Sequence, residues 1–427
     1  MSIPLSIRRH TLDNGLVVAL LPRRHTPVVA VDVWYRVGSK NETPGRSGFA
    51  HLFEHMMFQG SANVARSEHM RLISDVGGTM NGSTNKDRTN FYNVVPTNQL
   101  ELALWLEADR MRSLELTREN FASQLAAVKE ERRQRVDNAP YARVLYEILD
   151  DIFYQKWGYA HSLIGSLADL EEARFEEVAD FHRRHYRPNN AVLAVVGDID
   201  TDAALALVER HFGDIPAGDS PSAVDLDEPK RAAEQRHRYP DRFARLPAWV
   251  AAYQAPPYGH PDYYPLEMLD KILFDGESAR LYHRLLESDH LLLHMVGGID
   301  ARMGPGMFSV FGQLAPGVPF AAVEAAFDEE IARLHAGGVT ERELEKARNQ
   351  LRADRVAKME QVLHLAELLC LYITYFDDPF LVNSELDRYL AVRLDDVDRA
   401  IRDYLVPERR TLMEIEPETA VTQPVAD

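Results

Sequence analysis

The 427-residue chain has a single cysteine, Cys370, so neither a disulfide framework within the chain nor a cysteine-rich zinc finger holds it together. Cys370 reads as a core thiol. No window supplies the roughly 18 uninterrupted apolar residues that a membrane helix needs, so no membrane partner is expected. The opening stretch, MSIPLSIRRHTLDNG, lacks an apolar h-region. The expected location is cytoplasmic, with a periplasmic one left open if a leader has been removed. Basic charge is short as well: 48 Lys and Arg stand against 66 Asp and Glu, a formal net charge of −18. Nucleic-acid phosphates demand a basic face, so no nucleic-acid partner is expected. The rest is ordinary for a globular protein, with 45% hydrophobic and 27% charged residues. Disorder is excluded, and the length suits two or three domains.

Hydrophobic periodicity organises the chain. GLVVALLP and VVAVDVWYRVGS, separated by RRHTP, read as the two strands of a hairpin. A helical pattern follows from Ser47 and ends at Gly60. TMNGSTNKDRTNFYNVVP, after the Gly77-Gly78 turn, reads as two more strands. Two helices come next, the second (ENFASQLAAVKEERRQRV) capped by Thr117, then a buried strand, AVLAVVGDID, and the helix DAALALVERHF. Residues 215–242 are rich in Pro, charge and small side chains and read as an exposed linker. The expected division is a first domain over 1–216, a linker over 217–240 and a second domain over 241–427.

Beyond the linker the same order of elements recurs. HLFEHMMFQG (51–60) overlays EMLDKILFDG (267–276) without a gap, placing Phe58 on Phe274 and Gly60 on Gly276. LTRENF (116–121) resembles VTEREL (339–344) in the same order. Two ordered matches point to an internal duplication. The fold class expected is α+β, two similar domains, each a mainly antiparallel sheet covered by helices. The copies differ where chemistry would sit: His51, Glu54 and His55 face Glu267, Asp270 and Lys271.

His51-Leu52-Phe53-Glu54-His55 is an H-x-x-E-H pattern. On a helix, residues four apart project about 40° from one another, so His51 and His55 can grip one ion, with Glu54 about 60° to the other side of His51. Neutral imidazoles are preferred zinc ligands, and a neighbouring carboxylate is a suitable proton acceptor. The competing reading is a pair of buried, hydrogen-bonded histidines. Against it, Phe49, Leu52, Phe53, Met56 and Met57 already give this helix an apolar face on the opposite arc. A hydrolytic zinc site wants a third protein ligand and an open position. In the helix at 120–136, Phe121, Leu125 and Val128 mark a buried stripe; Glu131 and Gln124 flank it, while Glu130 points away. Among the many carboxylates of the chain, the third ligand stays open on these residues alone.

HLFEHMMFQGS, VKEERRQRVDN, GGTMNGSTNKDRTNFY, VVGDID and FGDIP together resemble the pitrilysin (insulinase, M16) family of inverzincin metallopeptidases. The likeness is greatest to the short two-domain branch that includes the mitochondrial processing peptidase β subunit. It is strong to residue 216 and looser beyond. The resemblance implies a zinc endopeptidase with Zn2+ held by His51, His55 and Glu131 and with Glu54 as the catalytic base. It also implies that Asn81 and Gly82, in an edge strand, bind the substrate main chain; on the residues alone, Asn81 reads as a turn residue beside Gly77-Gly78. Where the family often carries a supporting glutamate, this chain has Gln124. Active members also present an Arg and a Tyr from the non-zinc domain, and the comparable stretch, GPGMFSVFGQLAPG, has Phe308 and Ala315 instead.

Single-chain members enclose substrate with four such domains, so a two-domain chain implies a homodimer or a heterodimer with a related Arg-Tyr-bearing subunit. The expected function is cleavage of short or unfolded peptides inside a closed chamber by the zinc-bearing subunit. The alternatives are a non-catalytic scaffold and a single-turnover maturation subunit of the same fold. The ERRQR run (131–135) reads as a solvated helix face, and His161, lacking a ligand-spaced partner, as an ordinary surface or core histidine.

Overall fold

A computed structural model describes residues 4–418; the outer ends of the two expected domains, 1–3 and 419–427, lie outside the described residues. The chain forms two compact units, each assembled from three segments: Met1–Arg132, Trp157–Asp225 and Ala353–Leu386 in the first, Arg133–Lys156, Leu226–Arg352 and Asp387–Asp427 in the second.

The first unit contains strands β1 (Arg8–Thr11), β2 (Val17–Pro22), β3 (Val28–Tyr35), β4 (Thr79–Thr84), β5 (Thr89–Pro96) and β6 (Ala191–Gly197), in the order β1-β2-β6-β3-β5-β4. Only β2 and β6 run parallel. The hairpin expected between β2 and β3 is therefore corrected. β6, buried along its whole length, separates them. A strand apolar on both faces belongs in the middle of a sheet. The true hairpin is β1–β2, turned at Gly15 with φ +86°.

The helices of this unit run α1 (Phe49–Met56), α2 (Glu68–Asp75), α3 (Leu100–Ser113) and α4 (Arg118–Arg132) at its start, and α1 and α4 build the site. α1 is shorter than the 47–60 pattern, because Gly48 enters it at φ +90° and the chain turns at Gly60 with φ +109°. α4 starts as expected, with the Thr117 hydroxyl accepting from Asn120 N–H at 3.0 Å. The helix Val362–Phe376 also belongs here and packs on β3 and β6. It buries Leu365, Leu369, Cys370 and Ile373, an apolar load that only a sheet face can cover. This segment sits 360 residues from the start of the chain and joins the first unit, which a single cut at 217–240 does not describe.

The second unit has β7 (Gln235–Asp241), β8 (Ala248–Ala255), β9 (Leu292–Ile299), β10 (Gly306–Leu314) and β11 (Arg410–Pro417), in the order β7-β11-β8-β10-β9. Its one parallel pair is β7–β11. Matching β2-β6-β3-β5-β4 to β7-β11-β8-β10-β9 preserves both order and sense of every pairing, which is the expected duplication at the level of topology. The helix Tyr263–Leu273 stands where α1 stands, and Gly276 turns at φ +86° as Gly60 does. Residues 235–241, expected as linker, are strand: β7 is an edge whose charged side chains are ion-paired, Arg238 with Glu414 and Arg236 with Glu324.

Candidate metal centre

α1 has two faces, as its sequence demands. Phe49, Leu52, Phe53, Met56 and Met57 are buried, whereas His51, Glu54 and His55 are half-buried on the other arc. Phe53 stacks on His182 at 5.3 Å and 17°, and Phe49 meets Phe181 edge-on, so the apolar face is locked against the helix Phe175–His185. The polar face is then fixed in direction. The two imidazole rings lie 4.9 Å apart at 69°.

α4 brings Glu131 to them. Its Oε2 lies 3.2 Å from His55 Nε2 and 3.7 Å from His51 Nε2. Tetrahedral zinc with bonds of about 2.0–2.1 Å needs ligand atoms about 3.3 Å apart. One donor atom from each of the three residues lies within 4.8 Å of the others, the one such group of His, Cys, Asp or Glu among the described residues. Two imidazoles and a carboxylate form a donor set that suits zinc. The three side chains are 13%, 28% and 18% exposed, so the site is walled but open to a further ligand. Glu130 is exposed, and Gln124 is buried seven residues before Glu131, on the same side of α4. After Arg132 the backbone widens into a π-turn, Arg133–Asp137, and passes into the second unit.

Glu54 sits beside the cluster. Burial pushes its carboxyl above the usual range, with His55 and Arg88 pulling the other way. β4 is the outermost strand of its sheet, so its far edge has no neighbour among the described strands. Asn81, exposed on β4, accepts from Gly82 N–H at 2.9 Å. Gly82 has no room for a side chain, since a Cβ would lie 2.9 Å from the Phe91 ring. Phe308 is 2% exposed and packs on Phe274 in the second unit's core, while Ala315 follows the end of β10.

The expectation for Arg132 fails, and the reading of His161 as surface or core resolves to core. Arg132, within the run expected to be solvated, is 4% exposed and donates to Gly165 carbonyl. His161 is buried against Glu42, with Nε2 3.1 Å from Oε2. Neither carries a spacing signal. A buried polar residue whose partners are remote in sequence leaves no periodic trace.

A helix-borne His-x-x-Glu-His meets a converging carboxylate on a duplicated α+β scaffold, a donor set able to hold a metal ion. The comparisons with known proteins give the family. A family model described as insulinase (peptidase family M16) matches residues 17–166, and one described as the peptidase M16 inactive domain matches 173–351. The zinc protease PqqE of Helicobacter pylori is 30% identical over 95% of this chain and 92% of its own. An uncharacterized zinc protease of Bacillus subtilis, YmxG, is 25% identical over 83% and 85%. Among solved structures, a protease from Helicobacter pylori superposes with a TM-score of 0.93 at 27% identity, covering 97% of this chain and all (100%) of that one. The periplasmic protease PqqL of Escherichia coli shares the fold at 16% identity and a TM-score of 0.77, with 98% of this chain covering 48% of that one. The chain belongs to the M16 (insulinase) peptidase family. No helix among the described residues is long and apolar enough to cross a membrane.

Proposed function

We propose that the chain is a zinc-dependent endopeptidase that cleaves short or unfolded peptides. The observation that carries this reading is the convergence of His51, His55 and Glu131 beside Glu54. His51 Nε2, His55 Nε2 and a Glu131 carboxylate oxygen would hold the ion. Zinc supplies Lewis acidity, polarising the scissile carbonyl and making water a nucleophile near neutral pH. The Glu54 carboxylate accepts the proton of the attacking water and passes it to the leaving amine. A carboxyl whose pKa is raised by burial is suited to both tasks. The open edge of β4 takes the substrate backbone as an added strand at Asn81 and Gly82, a mode that grips main chain with little side-chain choice.

The second unit carries Glu267, Asp270 and Lys271 at the equivalent positions and matches a family model named for an inactive domain. With Phe308 and Ala315 standing where active members present an Arg and a Tyr, this supports a dimer whose other chain completes the site with an Arg-Tyr clamp. The test is hydrolysis of a quenched fluorescent peptide library by the zinc-loaded chain, with Glu54→Gln as control. Turnover that is abolished in the variant supports the peptidase and refutes the need for a partner. A zinc-binding chain that is silent until a related subunit is added supports the dimer. A chain that binds no zinc and cleaves nothing in either setting overturns the peptidase and leaves the scaffold reading.

A further inference from the structure

α1 has no capping side chain of its own, because its N-cap is Gly48. Its first amides are taken by a residue outside the helix. Glu42 Oε2 accepts from Gly48 N–H at 2.9 Å, and Oε1 accepts from Ala50 N–H at 2.7 Å. Behind this buried carboxylate stands His161. Its Nδ1 lies 2.7 Å from Trp157 carbonyl, and its Nε2 lies 3.0 Å from Ser39 carbonyl and 3.1 Å from Glu42 Oε2. All three are acceptors, so the geometry calls for both ring N–H groups as donors. The imidazole stacks on the Trp157 indole at 4.3 Å and 10°, and Trp157 Nε1–H donates to Glu42 carbonyl at 2.9 Å.

The same loop reaches the other parts of the centre. Lys86, in the turn joining β4 to β5, donates to Tyr159 and His161 carbonyls, each at 2.7 Å. Gly165 passes so close to Gly48 that a Cβ on Gly48 would lie 2.6 Å from Ile164 carbonyl. Gly165 carbonyl accepts from Arg132, the residue after Glu131. One ten-residue stretch, 157–166, therefore touches the start of the histidine helix, the end of the glutamate helix and the turn of the edge hairpin.

We propose that His161 is a positioning residue for the metal centre, acting through Glu42. It holds the N-terminus of α1 where His51 and His55 meet Glu131. This rests on the reading that those three residues hold zinc. α1 has eight residues, so a shift at its first turn carries both imidazoles with it. Metal–ligand distances in well-formed sites fall within about 0.2 Å of their standard values. Loss of an outer hydrogen-bond partner typically weakens metal binding about 10–100-fold.

The experiment compares His161→Phe, His161→Gln and Glu42→Gln with the unsubstituted full chain. Three quantities are read: zinc affinity of the apoprotein against a chromophoric chelator, the visible spectrum of the Co2+-loaded protein, and amide exchange at Gly48 and Ala50. His161→Phe is expected to weaken zinc about 10–100-fold. It should also alter the Co2+ spectrum and speed exchange at both amides. His161→Gln, which keeps a donor toward Glu42, is expected to recover most of the affinity. Glu42→Gln, nearly isosteric, removes an acceptor from one helix amide and is expected to fall between them. It serves as the decisive variant if His161→Phe does not fold. Zinc affinity within twofold of the parent and an unchanged Co2+ spectrum, with only the melting temperature lowered, would reduce the pair to a structural role. If the parent binds zinc and cleaves peptides while these variants match it, this inference fails alone; if the parent binds no zinc, it fails together with the peptidase reading.

Discussion

Two helices hold equivalent places in two sheets of the same topology, and they treat their polar faces differently. On α1, His51, Glu54 and His55 look toward a carboxylate delivered by another helix. On the helix Tyr263–Leu273, the matching residues turn to close neighbours. Glu267 accepts from the Tyr389 hydroxyl at 2.8 Å, and Lys271 pairs with Asp275, one turn away, at 2.6 Å. Both helices bury the opposite, apolar face. The hydrophobic pattern that builds the fold was thus kept in both copies, while the three positions facing away from the core were free to diverge. Burial is the first cause that pushes up the acid in both, Glu54 and Asp270. What separates them is company: His55 and Arg88 beside the first, Glu267 and Asp275 beside the second.

The sharpest way to test that contrast is to remove the acid. Glu54→Gln is expected to cut peptide hydrolysis about 10²–10⁴-fold, the usual worth of a positioned base, while zinc still binds. Loss of zinc together with activity would make Glu54 a ligand instead. The reciprocal variant builds two histidines into the second copy, Glu267→His with Lys271→His. Zinc content is expected to remain one per chain, because the acid that meets position 271, Asp275, lies one turn along the same stretch rather than on a second helix as Glu131 does. Two equivalents by metal analysis would show that the second copy lost only its imidazoles.

The paired turn glycines give a smaller, structural test. Gly60 has φ +109°, and an added Cβ would lie 2.9 Å from Val64 carbonyl. Gly276 has φ +86°, but the nearest atom is a Gln350 side-chain nitrogen at 4.0 Å. Alanine at Gly276 meets backbone strain alone, about 1 kcal/mol. Alanine at Gly60 adds a clash with backbone that cannot yield, for about 2–4 kcal/mol. Denaturation midpoints of the two variants check the ranking. Equal losses would mean that the turn after α1 relaxes as freely as its copy.

These contrasts show what periodicity conveys. Burial of one arc of α1 and exposure of Glu130 follow from helical spacing, because each depends on neighbours three or four residues away, whereas the meeting of Glu131 with histidines on another helix came from the family resemblance alone. The duplication was legible for the same reason: HLFEHMMFQG and EMLDKILFDG keep one core pattern. Strand order was not. β2 and β3 look like a hairpin until β6, more than 150 residues later, takes the place between them. Arg132 was misread, and the place of His161 was left open between surface and core, because their partners, Gly165 and Glu42, lie 33 and 119 residues away. A long-range hydrogen bond has no period.

The mildest test asks whether the second polar face is buried as its acid implies. Desolvation, reinforced by Glu267, raises the Asp270 carboxyl from 3.8 to about 7, against the pull of Lys271. Between those two values the folded protein holds a proton that the unfolded chain has released. Stability contributed by the neutral carboxyl is therefore complete below pH 3.8, falls as pH rises through the window and is gone above about 7. Asp270→Asn keeps the shape and removes the titration. The variant is expected to gain on the parent between pH 5 and pH 8, by about 1 kcal/mol once partial solvation of the carboxyl is allowed for. Unfolding of both proteins at the two pH values gives the answer. A gain in that direction means that the second copy holds a neutral acid where the first holds Glu54. A difference that does not change with pH would mean that Asp270 is solvated, and that the second helix has given up a buried polar face as well as its histidines.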